Sequence, residues 1–131
     1  MTPCRFDFYL PTNGDYVEEI PFTEKGVPVD LTNLTFHSEV RSTYDGPTVY
    51  LTLNDVSSKS QEGIHRIEPA AGIIQVRINR ESIDAMYDAV VPSTYTGRTV
   101  QIPYDTLVTL PNGDIEQWFG GYMILNKGVT Q

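Results

Sequence analysis

Hydrophobic and polar residues alternate with period two along most of this chain. Within 34–41, Leu34, Phe36, Ser38 and Val40 fall on one face, and Thr35, His37, Glu39 and Arg41 on the other. Within 48–53, Val49, Leu51 and Leu53 oppose Thr48, Tyr50 and Thr52; within 73–78, Ile74, Val76 and Ile78 oppose Ile73, Gln75 and Arg77. Carried to the C-terminal region, the same alternation groups Ile115, Gln117, Phe119, Met123 and Leu125 against Glu116, Trp118, Tyr122 and Ile124. One dry face and one wet face is what a sheet of a β-sandwich needs. Segments 4–10, 16–22, 64–68 and 99–109 are rich in β-branched and aromatic residues and bring the expectation to about eight strands.

Turn chemistry punctuates these segments at short intervals. Pro11-Thr12-Asn13-Gly14-Asp15, Lys25-Gly26-Val27-Pro28, Tyr44-Asp45-Gly46-Pro47, Ala70-Ala71-Gly72 and Pro111-Asn112-Gly113-Asp114 supply the φ values and missing donors of tight turns. The spacing leaves room for strands and little for helices. One segment differs: Ile83, Met86, Tyr87 and Val90 recur at helical intervals, and this predicts a short helix over about 80–90 with its apolar stripe on the core. Asn79 stands where an N-cap belongs, Glu81 suits the positive end of the helix dipole, and Pro92 stops continuation. Residues 91–98 read as a polar loop. No linker or repeat divides the chain, so 1–131 is read as one domain.

The length of 131 residues is enough for one core without staples. Nine Lys and Arg against 17 Asp and Glu give a net charge of −8, which argues against nucleic acid or an anionic membrane as partner. No apolar run has the length of a membrane span, and Met1-Thr2-Pro3-Cys4-Arg5 is followed by no signal core, so the expectation is a protein made in the cytoplasm. A single cysteine, Cys4, excludes an internal disulfide and a cysteine-based zinc site.

Candidate chemistry changes the picture little. His37 falls on a polar strand face and His65 at the edge of a short strand, neither with further metal ligands near it in sequence. Ser57, Ser58 and Ser60 belong to the polar stretch Asn54–Gly63, without the Gly-x-Ser-x-Gly elbow. Glu18 and Glu19 point to opposite faces, Asp55 and Glu62 lack calcium-loop spacing, and no glycine-rich phosphate loop occurs. Asn33-Leu34-Thr35 matches the glycosylation triplet, which a chain without a leader would not present to that machinery. The expectation is therefore no enzyme, no cofactor and no metal. The aromatics are the remaining feature, 8 Tyr, 5 Phe and 1 Trp. Tyr50, Trp118, Tyr122 and Ile124 fall on outward faces by alternation, as does Leu107, while Tyr95 lies in the 91–98 loop. Such residues are read as an assembly interface, with a sugar-stacking platform or scattered surface apolars as alternatives.

Several stretches also resemble the small immunoglobulin-like β-sandwich domains of tailed-phage tail and baseplate proteins, such as the N-terminal domain of the upper baseplate protein. Lys25-Gly26-Val27-Pro28-Val29-Asp30-Leu31-Thr32-Asn33-Leu34-Thr35-Phe36 is similar to a "G-x-P-I-D-L-T-G-x-T-hydrophobic" stretch, and Val40-Arg41 to the end of the following strand. Ile67-Glu68-Pro69-Ala70-Ala71-Gly72-Ile73-Ile74-Gln75-Val76 resembles "I-x-P-x-x-G-x-I-x-hydrophobic". Tyr104 to Ile115 resembles the hairpin "Y-D-L-E-L-x-x-P-D-G-x-V", and Gly121 to Thr130 resembles "G-x-V-x-V-x-x-x-V-T". These motifs also have physical uses. Gly26 and Gly113 supply hairpin turns, Leu31 opens a connection that drops Leu34 and Phe36 into the core, and Gly121 marks a bend or a close backbone approach.

The chain departs from the family pattern in four places. Asn33 replaces a glycine, an exchange compatible with positive φ. Thr106 takes a Leu position and Leu107 a polar one, which predicts an exposed Leu107 or a slip of register. The 91–98 loop is long for the family. Residues 1–13 exceed the usual start and offer Arg5, Phe6, Asp7, Phe8 and Tyr9 as an arm or added strand, a natural place for a partner contact. The resemblance implies an immunoglobulin-like antiparallel sandwich and a non-enzymatic virion component, in tail or baseplate, gripped by other virion proteins. Docking is expected through Tyr50, Tyr95, Leu107, Trp118, Tyr122 and Ile124. A capsid-decoration protein and a glycan-binding module on a tail tip are the alternatives. On this reading Trp118→Ala weakens assembly and spares the isolated fold.

Overall fold

The computed structural model of the chain describes residues 4–11, 14–42, 48–90 and 99–126. Its strands are β1 (Cys4–Arg5), β2 (Phe8–Leu10), β3 (Tyr16–Pro21), β4 (Thr23–Glu24), β5 (Val27–Pro28), β6 (Thr35–Arg41), β7 (Val49–Val56), β8 (Gly63–Glu68), β9 (Ile73–Ile78), β10 (Thr99–Thr109) and β11 (Ile115–Asn126). A 3-10 turn (Pro69–Ala71) joins β8 to β9, and one helix, α1 (Arg80–Val90), follows β9. The fold is all-β and sandwich-like, and α1, the one helix among the described residues, lies where the 3.6-residue spacing predicts it.

Nine strands form one curled sheet in the order β1-β11-β10-β6-β7-β8-β9-β3, with β2 also on β11; β4 and β5 make a separate hairpin. The curl depends on β7. Its residues His37-facing Asn54 to Val49 pair antiparallel with β6, whereas Asp55 and Val56 pair parallel with Ile64 and His65 of β8. One strand thus passes from one layer to the other, a usual way to turn a sandwich corner. The expectation of a purely antiparallel sandwich is corrected here: β1 and β2 run parallel to β11, and β7 runs parallel to β8. The parallel pairs on β11 arise because residues 4–10 return from the opposite end of the chain rather than through a hairpin.

Alternation locates the core correctly in most strands. Phe36, Ser38 and Val40 of β6, Leu53 of β7, and Ile74, Val76 and Ile78 of β9 are all buried. An aromatic cluster fills the space between layers. Phe22 stacks on Phe36 with centroids 6.1 Å apart, and Trp118 stands edge-on to both at 5.4 and 5.9 Å. Phe8 meets Tyr104 at 5.0 Å and Tyr16 at 5.5 Å, so the two ends of the curled sheet touch across the core. The hydroxyls of Ser38 and Thr106 are also buried on this face, and each finds a partner. Ser38 Oγ donates to the Asp105 carbonyl at 2.8 Å, and Thr106 Oγ1 donates to Ser38 Oγ at 3.2 Å.

The connection between β5 and β6 acts as a plug. Leu34 is buried, as expected, and Leu31 is buried with it, its N–H donating to the Pro69 carbonyl at 2.8 Å. Arg66 holds the plug from outside, donating to the Thr32 carbonyl at 2.8 Å while pairing with Asp55, whose carboxylate accepts from Phe36 N–H at 3.1 Å. Lys25 (φ 52°) and Gly26 (φ 79°) form the β4–β5 turn with both central residues at positive φ, the mirror-type turn that fits a hairpin's twist. Among the described residues Lys25 is the only non-glycine at positive φ, so Asn33 does not need the left-handed conformation that a glycine would allow.

At α1, Ile83 and Met86 are buried and Tyr87 half-buried. Asn79 sits at the N-cap, its carbonyl accepting from Ser82 N–H at 3.0 Å and Ile83 N–H at 3.1 Å. Acidic side chains from elsewhere complete the terminus. Glu62 accepts from Asn79 N–H at 2.6 Å and Ser82 Oγ at 2.9 Å, and Asp15 accepts from Arg80 N–H at 2.7 Å. The loop 57–62 is not merely solvated: its Lys59 carbonyl accepts from Gln75 Nε2 at 2.7 Å and Arg77 Nε at 3.0 Å, and this covers Gln75 on the outer face of β9.

Candidate interaction surface

Two β-bulges decide where the sequence-predicted surface residues go. The ladder between β10 and β11 slips between Thr106 and Leu107: Thr106 pairs with Phe119, Leu107 with Gln117, and Trp118 is the extra residue. Trp118 and Phe119 therefore both turn inward, and Trp118 is 4% exposed. Its Nε1–H donates to Glu116 Oε1 at 3.0 Å, which satisfies the indole without solvent. Trp118 is thus corrected from outward anchor to core residue. The slip falls between Thr106 and Leu107, the pair whose polarity departs from the motif that this hairpin resembles. Leu107, outward by the unbroken alternation of β10, is half-exposed beside His37.

The second bulge lies between β6 and β7, where Val40 pairs with Leu51 and Arg41 with Val49, leaving Tyr50 as the extra residue. Tyr50 is half-buried and packs against the core, so its placement on a free outward face is also corrected. Ile124 does lie on the outer face, in register with Tyr9 of β2 on one side and Gln101 of β10 on the other, but these neighbours leave it buried. Tyr122 is half-buried on the same face, with the Arg5 guanidinium 5.3 Å from its ring centroid. Tyr95 lies outside the described residues.

The structure brings together a group that alternation alone did not assemble. Tyr9, Ile124 and Gln101 form a row across three strands, and Tyr122 with Pro103 forms the neighbouring row. Tyr9 is 69% exposed and is the most prominent apolar side chain of this outer face. The signal for Tyr9 is in the sequence, as the polar-phase member of Phe8-Tyr9-Leu10, but it becomes legible only once β2 is known to lie on β11.

The N-terminal arm supports this patch. Asp7 accepts from Tyr122 N–H at 3.0 Å and forms an ion pair with Arg5 at 3.1 Å. The hydrogen bond from Arg5 holds the Asp7 carboxyl below the usual carboxylate range, with the Tyr122 amide helping against partial desolvation. Gly121 meets the arm so closely that a Cβ there would lie 2.6 Å from Asp7 Oδ1 and 2.7 Å from the Phe6 carbonyl oxygen. This is the close backbone approach expected of that glycine.

Both histidines have structural partners. His37 lies 3.0 Å from Asn54 Oδ1 and 3.3 Å from Glu39 Oε2, and Arg41 bonds the same Glu39. Arg41 first, and His37 second, keep the Glu39 carboxyl below its ordinary range. His65 Nδ1 is 3.1 Å from the Val56 carbonyl. Among the described residues no group of three or more His, Cys, Asp or Glu side chains comes together as a metal site requires. A cleft of about 450 Å³ opens between the start of the arm and the β3–β4 region, over Phe22 and Phe119, with Cys4, Phe6, Pro21, Glu24 and Lys25 among its lining. It is mainly apolar. Neither protein-family models nor curated proteins give a match to this chain.

Proposed function

We propose that this chain is a non-enzymatic structural subunit of a tailed-phage particle, in tail or baseplate, which docks on neighbouring subunits through the outer face of β2, β11 and β10. The viral context rests on the sequence resemblance. The docking role rests on one observation: Tyr9 stands 69% exposed beside Tyr122 and Ile124, on a stiff sheet whose opposite face is the packed core. A tyrosine seated on a paired strand loses less freedom on binding than one on a free loop and contributes about 1.5–3 kcal/mol when covered. Repetition of the contact by particle symmetry multiplies its effect.

Co-expression with the products of the genes flanking this one tests the reading. One of them should co-purify with the native chain, and Tyr9→Ser should weaken that complex by tenfold or more without changing the thermal midpoint, about 1.4 kcal/mol of lost binding. No complex with any of these products, together with absence of the chain from purified particles, overturns it. Hundreds of copies per particle would instead mark a capsid-decoration protein, and glycan-array binding abolished by Tyr9→Ser a sugar-stacking platform.

A further inference from the structure

We infer that the slot along β11 is a strand-acceptor site, and that its second occupant is the N-terminal arm of another copy of this chain. The slot is shaped for this segment. Gly121 has no room for a Cβ because the Phe6–Asp7 backbone and carboxylate pass over it. Phe6 N–H donates to the Gly120 carbonyl at 2.9 Å, the Phe6 carbonyl accepts from Tyr104 OH, and Tyr122 N–H donates to Asp7. Phe8 and Leu10 then enter the core at 1% and 5% exposure.

These ties join segments far apart in sequence; Asp7 and Tyr122 are 115 residues apart. No hairpin links arm to slot, because the pairing is parallel and covalent continuity runs instead through Pro11-Thr12-Asn13-Gly14-Asp15 to β3, at the other end of the curled sheet. Asp15 anchors the far end of that connector on the first turn of α1. A slot of this kind makes the same contacts with its own arm as with another copy's. The choice is set by connector entropy and by protein concentration. An arm that leaves its slot exposes Phe8 and Leu10, so at high concentration the complementary resting place for it is a slot vacated by a neighbour. The inference concerns this chain alone and does not depend on the particle to which it belongs.

Cysteine trapping tests it, because Tyr9 and Ile124 are register partners on the outer face, at a spacing that a disulfide can bridge. In a Cys4→Ser background, one chain carries Tyr9→Cys and a second, mass-tagged chain carries Ile124→Cys. The two are mixed at high concentration, unfolded, refolded together and oxidised. The expected product is a disulfide joining the two different chains, its yield rising as the concentration during refolding is raised about a hundredfold. A chain carrying both substitutions should close on itself when dilute. No bond between the different chains at any concentration, while the doubly substituted chain closes internally, overturns exchange. Failure of the doubly substituted chain to close also overturns it, because the arm is then not seated on β11.

Discussion

β9 and β11 are both interior strands of the curled sheet, yet they present their side chains in different ways. β9 keeps an unbroken two-residue period, with Ile74, Val76 and Ile78 inward and Gln75 and Arg77 outward. Gln75 is nevertheless buried, because the 57–62 loop lies over it and its Lys59 carbonyl takes the amide's hydrogen bond. β11 carries an extra residue at Trp118, and from that point toward the hairpin the inward and outward positions exchange. Ile115 becomes 63% exposed while Trp118 is buried between Phe22 and Phe36. A period-two pattern therefore fixes relative faces only as far as the ladder stays in register. One bulge resets it, and a loop can cover a face that the pattern assigns to solvent.

The sharpest way to break the contrast is Trp118→Ala. Removing an indole from the interlayer cluster should cost about 3–5 kcal/mol, read as a large fall in the chemical-denaturation midpoint. An unchanged midpoint would return Trp118 to the surface and remove the bulge as an explanation. A smaller effect comes from the arm that covers β11. The folded-state pKa of Asp7 lies below its ordinary value of 3.8, so its contribution is present above that pH and is lost as pH falls through the lowered value. Phe8 ring shifts followed by NMR into the acid range should report loosening of the arm below about pH 4. Asp7→Asn should flatten that dependence and loosen the arm at neutral pH by about 1–2 kcal/mol. Smallest of all is Ile115→Thr. Alternation assigns Ile115 to the core, but its exposure predicts a change within about 0.5 kcal/mol. A loss of 2 kcal/mol or more, the usual order for a truncated core isoleucine, would contradict the slipped register.

Much of the fold was legible because its signals are local. Turn residues at Lys25-Gly26 and Asn112-Gly113, the helical spacing of Ile83, Met86 and Tyr87, and the plug Leu31–Leu34 each act over a few residues, and each takes its expected place. The candidate surface was less legible. Tyr122 and Ile124 do lie on the outer face, but Trp118 and Tyr50 leave the face that alternation predicts for them, and for the same reason: each is the additional residue of a bulge. Val49 follows Tyr50 in this, pairing with outward Arg41 and standing 39% exposed. The Thr106–Leu107 inversion was the available warning, since it marks the slip.

The sequence by itself determined the class of the molecule: strands of alternating polarity, turns with the right φ preferences, a single helix and enough apolar residues for one core. Those properties follow from covalent geometry and from water's rejection of apolar side chains, which operate residue by residue. Only the tertiary structure decided that residues 4–10 lie parallel on β11, that Gly121 must leave room for them, and that Tyr9 becomes the outermost aromatic of that face. Such outcomes depend on which distant segments pair and in what register. That choice is made by the fit of many side chains at once rather than by any local pattern.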